Sequence, residues 1–405
     1  MVITALKMLL GDRTKYAGLL FGITFTSFLV TFAASYFGGM MTRSFALIAE
    51  NPGVDVWVMD PAVVAVDRPI NLPTSALNRV RSVEGVRSAV PLTIAQADAR
   101  FANGRFQSLQ IIGVDDATLI GAPVVLSAGK SVVKSEATAT LLHSPDAVIV
   151  DAGGTSGKLQ TPSLLADQWP YGKPHLDVPM RRLRAGDELL INDIRVRVAG
   201  TSATLPRFPP RPLLYTTYST ADHILLPERR RLTFVLAVAA PGVDPRSLAS
   251  RIEAATDLRA RAAEDFKADT VRWMLVNSED VGDVVTMLSI AMIVGFGVTG
   301  VLMFMFTHEN LKYYAVFNAM GAPTRMLLLM ICAQAILCAL IGAGLGLGVC
   351  AIAGRIFTLY DFPFRMMWFA LAAGGVAVML VSVGAALFSM RPILRMQPAS
   401  FLAGR

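Results

Sequence analysis

Two glycine-rich patterns in this chain have the spacing of nucleotide-binding loops, but their surroundings do not fit. Gly295-Phe-Gly-Val-Thr-Gly300 has the spacing of a dinucleotide-binding turn, yet it lies inside an uncharged run and not between a strand and a helix. Asp151-Ala-Gly-Gly-Thr-Ser-Gly-Lys158 resembles a phosphate loop, except that Ala152 replaces the first glycine and Leu159 replaces the magnesium-binding hydroxyl residue. We therefore do not expect this chain to bind ATP itself.

Metal and nucleophile chemistry have no better support in the sequence. The histidines are scattered without metal-ligand spacing, at His143, His175, His223 and His308. No GxSxG nucleophile motif occurs. Arg229-Arg-Arg231 has the charge to hold a phosphate group, but a solvated run of charges is the more frequent explanation. These patterns predict a chain that is not an enzyme, holds no metal and binds no cofactor.

The glycines of the first pattern fit helix packing better. Small residues allow membrane helices to approach each other closely. We assign this role to the following glycines in two apolar runs: Gly295, Gly300, Gly342, Gly344, Gly346 and Gly348.

The runs that carry these glycines are apolar enough to cross a membrane. The 405-residue chain is 54% hydrophobic and only 17% charged, and a spanning helix needs about 20 apolar residues. Four uncharged runs meet this requirement, at 16–42, 284–307, 326–354 and 366–390. This composition excludes a soluble enzyme, a secreted disulfide scaffold and a disordered chain.

The position of the charges predicts the topology. The region 43–283 contains equal numbers of basic and acidic residues, so the net charge of +7 comes from the segments beside the spans. Because Lys and Arg accumulate on the cytoplasmic side of short loops, both termini and the loop at 308–325 are predicted to be cytoplasmic. The positive charge therefore indicates orientation in a bacterial inner membrane and not binding to nucleic acid.

The predicted fold is an α-helical membrane protein with four transmembrane helices and a mixed α/β extracytoplasmic domain inserted between helices 1 and 2. In chain order we predict a cytoplasmic amphipathic helix at 1–16, the first span at 17–40, a periplasmic α/β domain with a helical stalk at 41–282, the second span at 283–307, a cytoplasmic loop with a short helix at 308–325, the third span at 326–354, a short periplasmic loop at 355–365, the fourth span at 366–390 and a cytoplasmic tail at 391–405.

The inserted region has the patterns of both strands and helices. Alternating or β-branched runs predict strands at 54–59, 106–114, 147–150, 188–199 and 232–239, and helical periodicity after a proline predicts helices at 74–83 and 245–255. The stretch 264–307 has no proline, which predicts one continuous helix from the stalk into the second span. All three cysteines, Cys332, Cys338 and Cys350, lie in the third span, so no disulfide is expected in the inserted region.

The loop after the second span carries the most informative motif. It runs from His308 to Pro323 as HENLKYYAVFNAMGAP, and Gly321 followed by Pro323 is typical of a helix end. Helical spacing places Leu311, Ala315, Asn318, Ala319 and Ala322 on one face. We predict a short helix that lies along the membrane surface.

This loop resembles that of the FtsX/MacB-like permeases of ABC transporters (type VII ABC architecture), and in particular their DevC-like exporter branch. The family loop reads approximately (R/P)-E-Y-A-x-L-K-A-(L/M)-G-A. Tyr314, Ala315, Ala319, Met320, Gly321 and Ala322 match this pattern. Phe317 and Asn318 replace Leu and Lys, and the acidic position of the family falls on Tyr313, one helical turn after Glu309.

Two further stretches resemble the same family. The tail at 393–402, ILRMQPASFL, is similar to the closing (L/R)-x-x-D-P-A-x-x-L, with Gln397 at the acidic position. The stretch at 183–192, LRAGDELLIN, followed by VRVAG at 196–200, is similar to the G-D-x-(V/I) and V-x-G segment of the extracytoplasmic domain.

The resemblance implies an ABC permease subunit that forms a homodimer and docks a separate cytoplasmic ATPase, on which ATP and magnesium would bind. Its coupling residues would be Glu309, Lys312, Tyr313, Tyr314, Asn318, Met320, Gly321 and Ala322. The DevC-like branch further implies export, with a periplasmic adaptor and an outer-membrane channel as partners. The chain itself would contact membrane lipid and no nucleic acid.

Two other functions stay open at this point. One is a non-transporting FtsX-like regulator of a periplasmic cell-wall hydrolase, and the other is a solitary sensor whose loop recruits something other than an ATPase. For a transporter, the sequence leaves lipid, glycolipid, lipoprotein, peptide and drug as alternative substrates.

Overall fold

A computed structural model describes residues 13–389 apart from 103, 124, 128–130, 134, 152–157, 164–178, 203, 228–231 and 361. The predicted amphipathic helix at 1–16 lies mostly, and the tail at 391–405 wholly, outside the described residues. The chain forms two compact units. We call Met41–Ser278 the inserted domain, and Met1–Met40 together with Glu279–Arg405 the membrane unit.

The inserted domain contains both helices and strands, and the described elements of the membrane unit are helices, most of them long. In chain order they are α1 Arg13–Ser44, α2 Ala46–Ala49, β1 Val56–Met59, α3 Ser75–Arg81, β2 Val86–Arg100, β3 Phe106–Val114, β4 Val125–Ser127, β5 Ser131–Val133, α4 Ser135–Leu142, β6 Ala147–Asp151, β7 Gln160–Pro162, β8 Met180–Arg182, β9 Glu188–Ile191, β10 Ile194–Ser202, β11 Leu213–Thr217, α5 Tyr218–Ile224, β12 Phe234–Ala239, α6 Pro245–Thr256, β13 Arg259–Ala262, α7 Ala263–Asn277, α8 Glu279–Glu309, α9 Leu311–Ala319, α10 Thr324–Thr358 and α11 Trp368–Ser389.

Four helices in the described part of the chain are long and apolar enough to cross a membrane, at Tyr16–Ser44, Glu279–Glu309, Arg325–Thr358 and Trp368–Ser389. A helix satisfies its own backbone hydrogen bonds, which a chain in lipid requires. The predicted fold class is confirmed. This chain is an α-helical membrane protein with four candidate spans, and a mixed α/β domain lies in the chain between the first and the second of them.

One end of the inserted domain is a pair of interleaved β-α-β units. Eleven of the described strands form one sheet in the order β13-β1-β12-β2-β3-β11-β6-β10-β4-β5, with β9 beside β10 and β2. Within it, β1–α3–β2 and β12–α6–β13 interleave, and each of their strands is antiparallel to its neighbour. This is the ferredoxin-like arrangement. The elements from β3 to α5 are inserted between the two units.

Strand β2 joins these two parts of the sheet because it changes partner halfway. Its first half, Val86 to Leu92, pairs with β12, and its second half, Thr93 to Arg100, pairs with β3. At the change, the Thr233 hydroxyl accepts a hydrogen bond of 2.9 Å from the Ile94 amide. No strand was predicted at the position of β2, because Pro91 interrupts its strand pattern.

An aromatic trio fills the core beneath β1 and β12. The ring centroids of Trp57 and Phe234 lie 5.5 Å apart, and those of Trp57 and Phe266 lie 6.0 Å apart. All three side chains are fully buried. Since Phe266 belongs to α7, this contact fixes α7 against the sheet of the inserted domain.

Two sequence predictions about element boundaries were wrong. The stretch 188–199 is a hairpin of β9 and β10 and not one strand, because Asn192 and Asp193 take positive φ angles of 49° and 63° and form its turn. The predicted continuous helix at 264–307 is broken at Ser278, where ψ is 127°. Ser278 precedes Glu279 and Asp280, and a serine followed by acidic residues is typical of a new helix start.

The Gly-Asp pair of the resemblance forms a turn stabilised by an ion pair. The Asp187 carboxylate accepts hydrogen bonds of 2.7 Å from both terminal nitrogens of Arg181 and from the Arg184 amide. Gly186 has a φ of 97°, which favours glycine. Burial opposes ionisation of Asp187, but these hydrogen bonds outweigh it and hold the pKa of the carboxyl below its ordinary value.

We predict that Asp187→Asn lowers the free energy of unfolding by about 1.5 kcal/mol at neutral pH, because it removes a bidentate charge-assisted pair. The lowered pKa stabilises the fold fully above the pKa of the unfolded state, about 3.9, and this contribution is lost as pH falls through the lower pKa of the folded state. Urea unfolding of the detergent-solubilised chain, followed by tryptophan fluorescence at pH 7 and pH 3, measures both effects.

The matched control is Glu188→Gln. Its partner Arg195 lies 3.3 Å away and both side chains are about half exposed, so we expect a change within about 0.5 kcal/mol. Equal effects of the two substitutions at pH 7 would contradict the assignment.

Candidate functional site

The loop between the second and third spans contains helix α9. Asn310 separates α8 from α9, and its side-chain amide donates a 2.7 Å hydrogen bond to the Phe306 carbonyl. The Asn310 carbonyl in turn accepts from the amides of Tyr313 and Tyr314. The chain therefore ends one helix and starts the next with a single residue between them.

One side of α9 is buried in the membrane unit. Leu311, Tyr314 and Ala315 are buried, and the Tyr314 hydroxyl donates a 3.2 Å hydrogen bond to the side-chain oxygen of Gln334, a buried residue of α10. Burial raises the pKa of Tyr314 to about 12, although the bond to Gln334 opposes the rise. Tyr314 is thus a neutral hydrogen-bonded anchor that faces inward.

The opposite side of α9 presents three apolar side chains. Tyr313 is 61% exposed, Val316 46% and Met320 69%. Their spacing of three and four residues places them in one line along the helix. Lys312 and Glu309 are exposed beside them. We call Tyr313, Val316 and Met320 the apolar stripe of α9.

The end of α9 is a Schellman motif. The Ala322 amide donates to the Phe317 carbonyl and the Gly321 amide to the Asn318 carbonyl, both at 3.0 Å. Gly321 has the required positive φ, 95°. Pro323 then precedes α10. The Gly-Ala-Pro sequence therefore sets the direction in which the chain enters the third span.

The structure separates the predicted coupling residues into three groups. Tyr314 and Ala322 are buried, so neither side chain is available for direct contact with a partner. Asn318 is half-buried. The exposed members are Glu309, Lys312, Tyr313, Met320 and Gly321. Val316 was missed because it occupies a position that the family pattern leaves unspecified, although its spacing from Tyr313 and Met320 was available as a signal.

Glycines bring three helices against α1. A Cβ atom at Gly295 of α8 would overlap Thr26, one at Gly342 of α10 would overlap Ile23, and one at Gly346 would overlap Ser27. At Gly300, Gly344 and Gly348 a Cβ would meet nothing within 4 Å. Gly374 of α11 makes the same kind of approach, to Thr31 of α1. These contacts place α1 among the other three long helices of the membrane unit.

The segment between α10 and α11 packs on the far end of α1. The Arg365 amide donates a 3.0 Å hydrogen bond to the Ser35 carbonyl, and the backbone of Pro363 lies against Gly39. The rings of Phe362 and Phe364 lie 5.8 Å and 5.6 Å from that of Phe32. This end of the membrane unit is therefore closed by aromatic packing.

Within the described residues, no group of three His, Cys, Asp or Glu side chains could hold a metal ion. His223 lies 3.0 Å from Asp146, as an exposed pair. The phosphate-loop-like segment lies outside the described residues from 152 to 157, as does Arg229-Arg-Arg231.

Adjacent tyrosines on opposite sides of α9 offer a direct test of its orientation. We predict that Tyr314→Ala lowers the free energy of unfolding by about 3 kcal/mol or more, because it empties a buried site. Tyr313→Ala should change it by no more than about 0.5 kcal/mol, because that side chain is exposed. Thermal unfolding in detergent measures the difference, and equal losses would contradict the orientation.

Alanine substitutions at Gly344 and Gly295 should change the stability of the protein in opposite directions. Alanine is favoured over glycine by about 1 kcal/mol within a helix, so Gly344→Ala should leave stability unchanged or raise it. Gly295→Ala should lower the unfolding temperature, because overpacking against Thr26 costs about 1–3 kcal/mol. A gain in stability at both positions, measured on detergent-solubilised protein, would show that α8 does not pack closely on α1.

Comparison with known protein families gives a match for the part of the chain that contains α9. Residues 285–398 match the family model of the FtsX-like permease C-terminal domain. Curated proteins gave no match. Among solved structures, the periplasmic region of MacB from Actinobacillus actinomycetemcomitans is similar at 12% identity and a TM-score of 0.34, over 54% of this chain and 92% of that one.

A second similar structure is the extracellular domain of the noncanonic ABC-type transporter YknZ from Gram-positive bacteria, at 11% identity and a TM-score of 0.31, over 52% of this chain and 98% of that one. The family match confirms the resemblance seen in the loop sequence. Over residues 285–398 this chain is therefore similar to the C-terminal domain of FtsX-like permeases.

Proposed function

We propose that this chain is the permease subunit of an ABC transporter, and that the apolar stripe of α9 docks a separate ATPase. The observation that carries the proposal is the stripe itself, Tyr313, Val316 and Met320, on a loop helix inside the family-matched region. Exposed apolar side chains grouped on one helix face are a common form of docking surface.

The charge distribution supports a cytoplasmic position for this surface. The loop carries Lys312 and Arg325, and Lys7, Arg13 and Lys15 precede the first span. By the positive-inside rule, we place the loop and both termini in the cytoplasm of a bacterial inner membrane. ATP and magnesium would bind to the ATPase, and this chain would bind no cofactor and perform no catalysis.

The anchoring of α9 suggests how motion passes from the ATPase to the permease. Tyr314 and Leu311 bury one side of the helix, and Asn310 joins it to α8 with no flexible linker. A displacement of the stripe would therefore be passed to α8 and α10 as a rigid-body movement. Since α1 and α8 are the two chain connections to the inserted domain, we propose that this domain receives the motion.

The assembly that we propose is a homodimer that works as an exporter. Gly344 and Gly348 are exposed on α10, and a second copy could approach this helix closely there because no side chain stands in the way. A periplasmic adaptor and an outer-membrane channel would complete an efflux system, with membrane lipid around the spans.

We predict that Tyr313→Ala combined with Glu309→Ala releases the ATPase. Loss of an aromatic anchor from an interface costs about 2 kcal/mol or more, which is about thirtyfold in affinity. Met320→Ala should act in the same direction. The measurement is the yield of tagged ATPase that co-purifies with the permease from detergent-solubilised membranes of co-expressing cells, relative to permease recovered.

The matched control is Tyr360→Ala, because Tyr360 is 80% exposed at the other end of α10. It should leave the yield unchanged. Wild-type yield from a well-expressed Tyr313→Ala/Glu309→Ala variant would reject the docking surface. No co-purification even with the unaltered chain would instead favour the solitary sensor.

A further inference from the structure

We propose that the inserted domain contains a binding site for a compact anion of the phosphoryl or carboxylate class. The site is a cavity of about 240 Å³ between β3 and the segment that leads into β11. Its polar lining consists of Lys158, Arg211, Gln96, Gln107 and Ser108.

The walls of this cavity are held by regular structure. The Gln110 amide of β3 donates a 2.8 Å hydrogen bond to the Pro212 carbonyl, directly beside the cavity. Pro210 and Pro212 flank Arg211 and fix their own φ angles. On the other side, β2 and β3 are in register from Thr93–Gly113 to Arg100–Phe106. These contacts hold the backbone on both sides of the cavity in place.

The charge of the lining favours an anion. Two cations, Lys158 and Arg211, share the cavity, and none of the lining residues that the structure describes is a carboxylate. This is a local concentration, since the region 43–283 has equal numbers of basic and acidic residues. A planar guanidinium can bind a phosphate or carboxylate through two hydrogen bonds, and a lysine adds a point charge.

Carboxylates also contribute to the electrostatics of this region. Burial raises the pKa of Asp67, and the positive charges of Arg68 and Arg211 oppose that rise. Arg211 has five donor hydrogens, more than one carboxylate can accept. Asp98 lies opposite Ser108 on the neighbouring strand. These carboxylates reduce the net positive charge of the region, so a bound anion has to contact Lys158 and Arg211 directly.

Size and hydrogen bonding restrict the ligand to a small one. Sites for drug-sized ligands measure about 300–1,000 Å³, so a cavity of about 240 Å³ is too small for a nucleotide. The Gln107 side-chain amide donates a 2.9 Å hydrogen bond to the Ser108 carbonyl, and its second hydrogen and its oxygen, like the Ser108 hydroxyl, have the chemistry to pair with ligand hydroxyls. A phosphorylated or carboxylated sugar or polyol, free or as the head group of a lipid, has this chemistry.

The proposed site also assigns a role to Lys158, which belongs to a sequence pattern that does not fit nucleotide binding. Lys158 is the last residue of the phosphate-loop-like segment 151–158. Its side chain lies at the small-anion cavity with Arg211. Anion binding there requires neither the magnesium-binding hydroxyl nor the space for a base that the sequence lacks.

Only the role of the ligand as cargo rests on the proposed function. If the chain is a permease, the site assigns a small anionic head group as the class of transported or sensed molecule. Binding itself needs no ATPase, so a failed binding test and a failed docking test are distinguishable.

The test is isothermal titration calorimetry on the full chain in phosphatidylcholine nanodiscs, which contain no anionic lipid. We expect glucose 1-phosphate to bind, with an affinity that falls as NaCl is raised, and glucose to bind at least tenfold more weakly. Lys158→Gln and Arg211→Gln should each reduce the affinity about tenfold or more. Arg195→Gln, an exposed arginine outside the lining, should not.

Further experiments test whether the bound anion is a free molecule or a lipid head group. They also include a variant that fills the cavity without a change of charge. Ser108→Trp fills the cavity from an exposed strand position without changing charge, and it should abolish binding. Dihexanoyl phosphatidylglycerol serves as the probe for a lipid head group, and glycerol 1-phosphate serves as the probe for a free phosphorylated polyol. Binding of either one supports the site. Failure of every anionic probe, equal binding of glucose and glucose 1-phosphate, or unchanged affinity in the Lys158→Gln/Arg211→Gln variant would overturn the proposal.

Discussion

The buried hydrogen bond between Tyr314 and Gln334 is the contact on which the orientation of α9 depends. A helix of nine residues is too short to be stable alone in water, so tertiary contacts must hold it. Tyr314 supplies such a contact, since a buried phenol needs both apolar packing and a partner for its hydroxyl. Because neighbouring residues on a helix point about 100° apart, fixing Tyr314 inward turns Tyr313 and the rest of the apolar stripe outward. The loop motif therefore places a buried anchor, Tyr314, next to an exposed side chain, Tyr313, that we propose for docking.

Three helices of the membrane unit, including the two that flank α9, pack closely against α1. Gly295, Gly342 and Gly374 come from three different helices, and each removes the side chain that would keep its helix away from α1. Close approach of this kind replaces the hydrophobic driving force that is missing between helices in lipid. The result is a membrane unit in which α9 is attached to α8 and α10, and α8 and α10 pack closely on α1. A mechanism based on rigid helices requires this arrangement.

The sequence predicted the four spans and much of the sheet because those features depend on local pattern. Uncharged runs identify spans by length alone, and β3 was predicted with its observed ends because its flanking residues break the strand pattern. Features that depend on tertiary context were not predictable. Pro91 obscured β2, which exists because β12 and β3 each pair with half of it. Tyr314 matches the family motif and Tyr313 departs from it, yet both were predicted as coupling residues, and the contact of Tyr314 with buried Gln334 on α10 distinguishes the anchor from the exposed side chain.

The most direct test of the account is site-specific photocrosslinking in intact membranes that contain both the permease and its ATPase. A benzophenone amino acid would replace Tyr313 in one variant and Tyr360 in another, since both side chains are exposed, Tyr313 on α9 before α10 and Tyr360 just after α10. The account predicts a crosslink to the ATPase from position 313 and none from position 360. A crosslink from 360 with none from 313 would contradict both the docking surface and the orientation of the chain in the membrane.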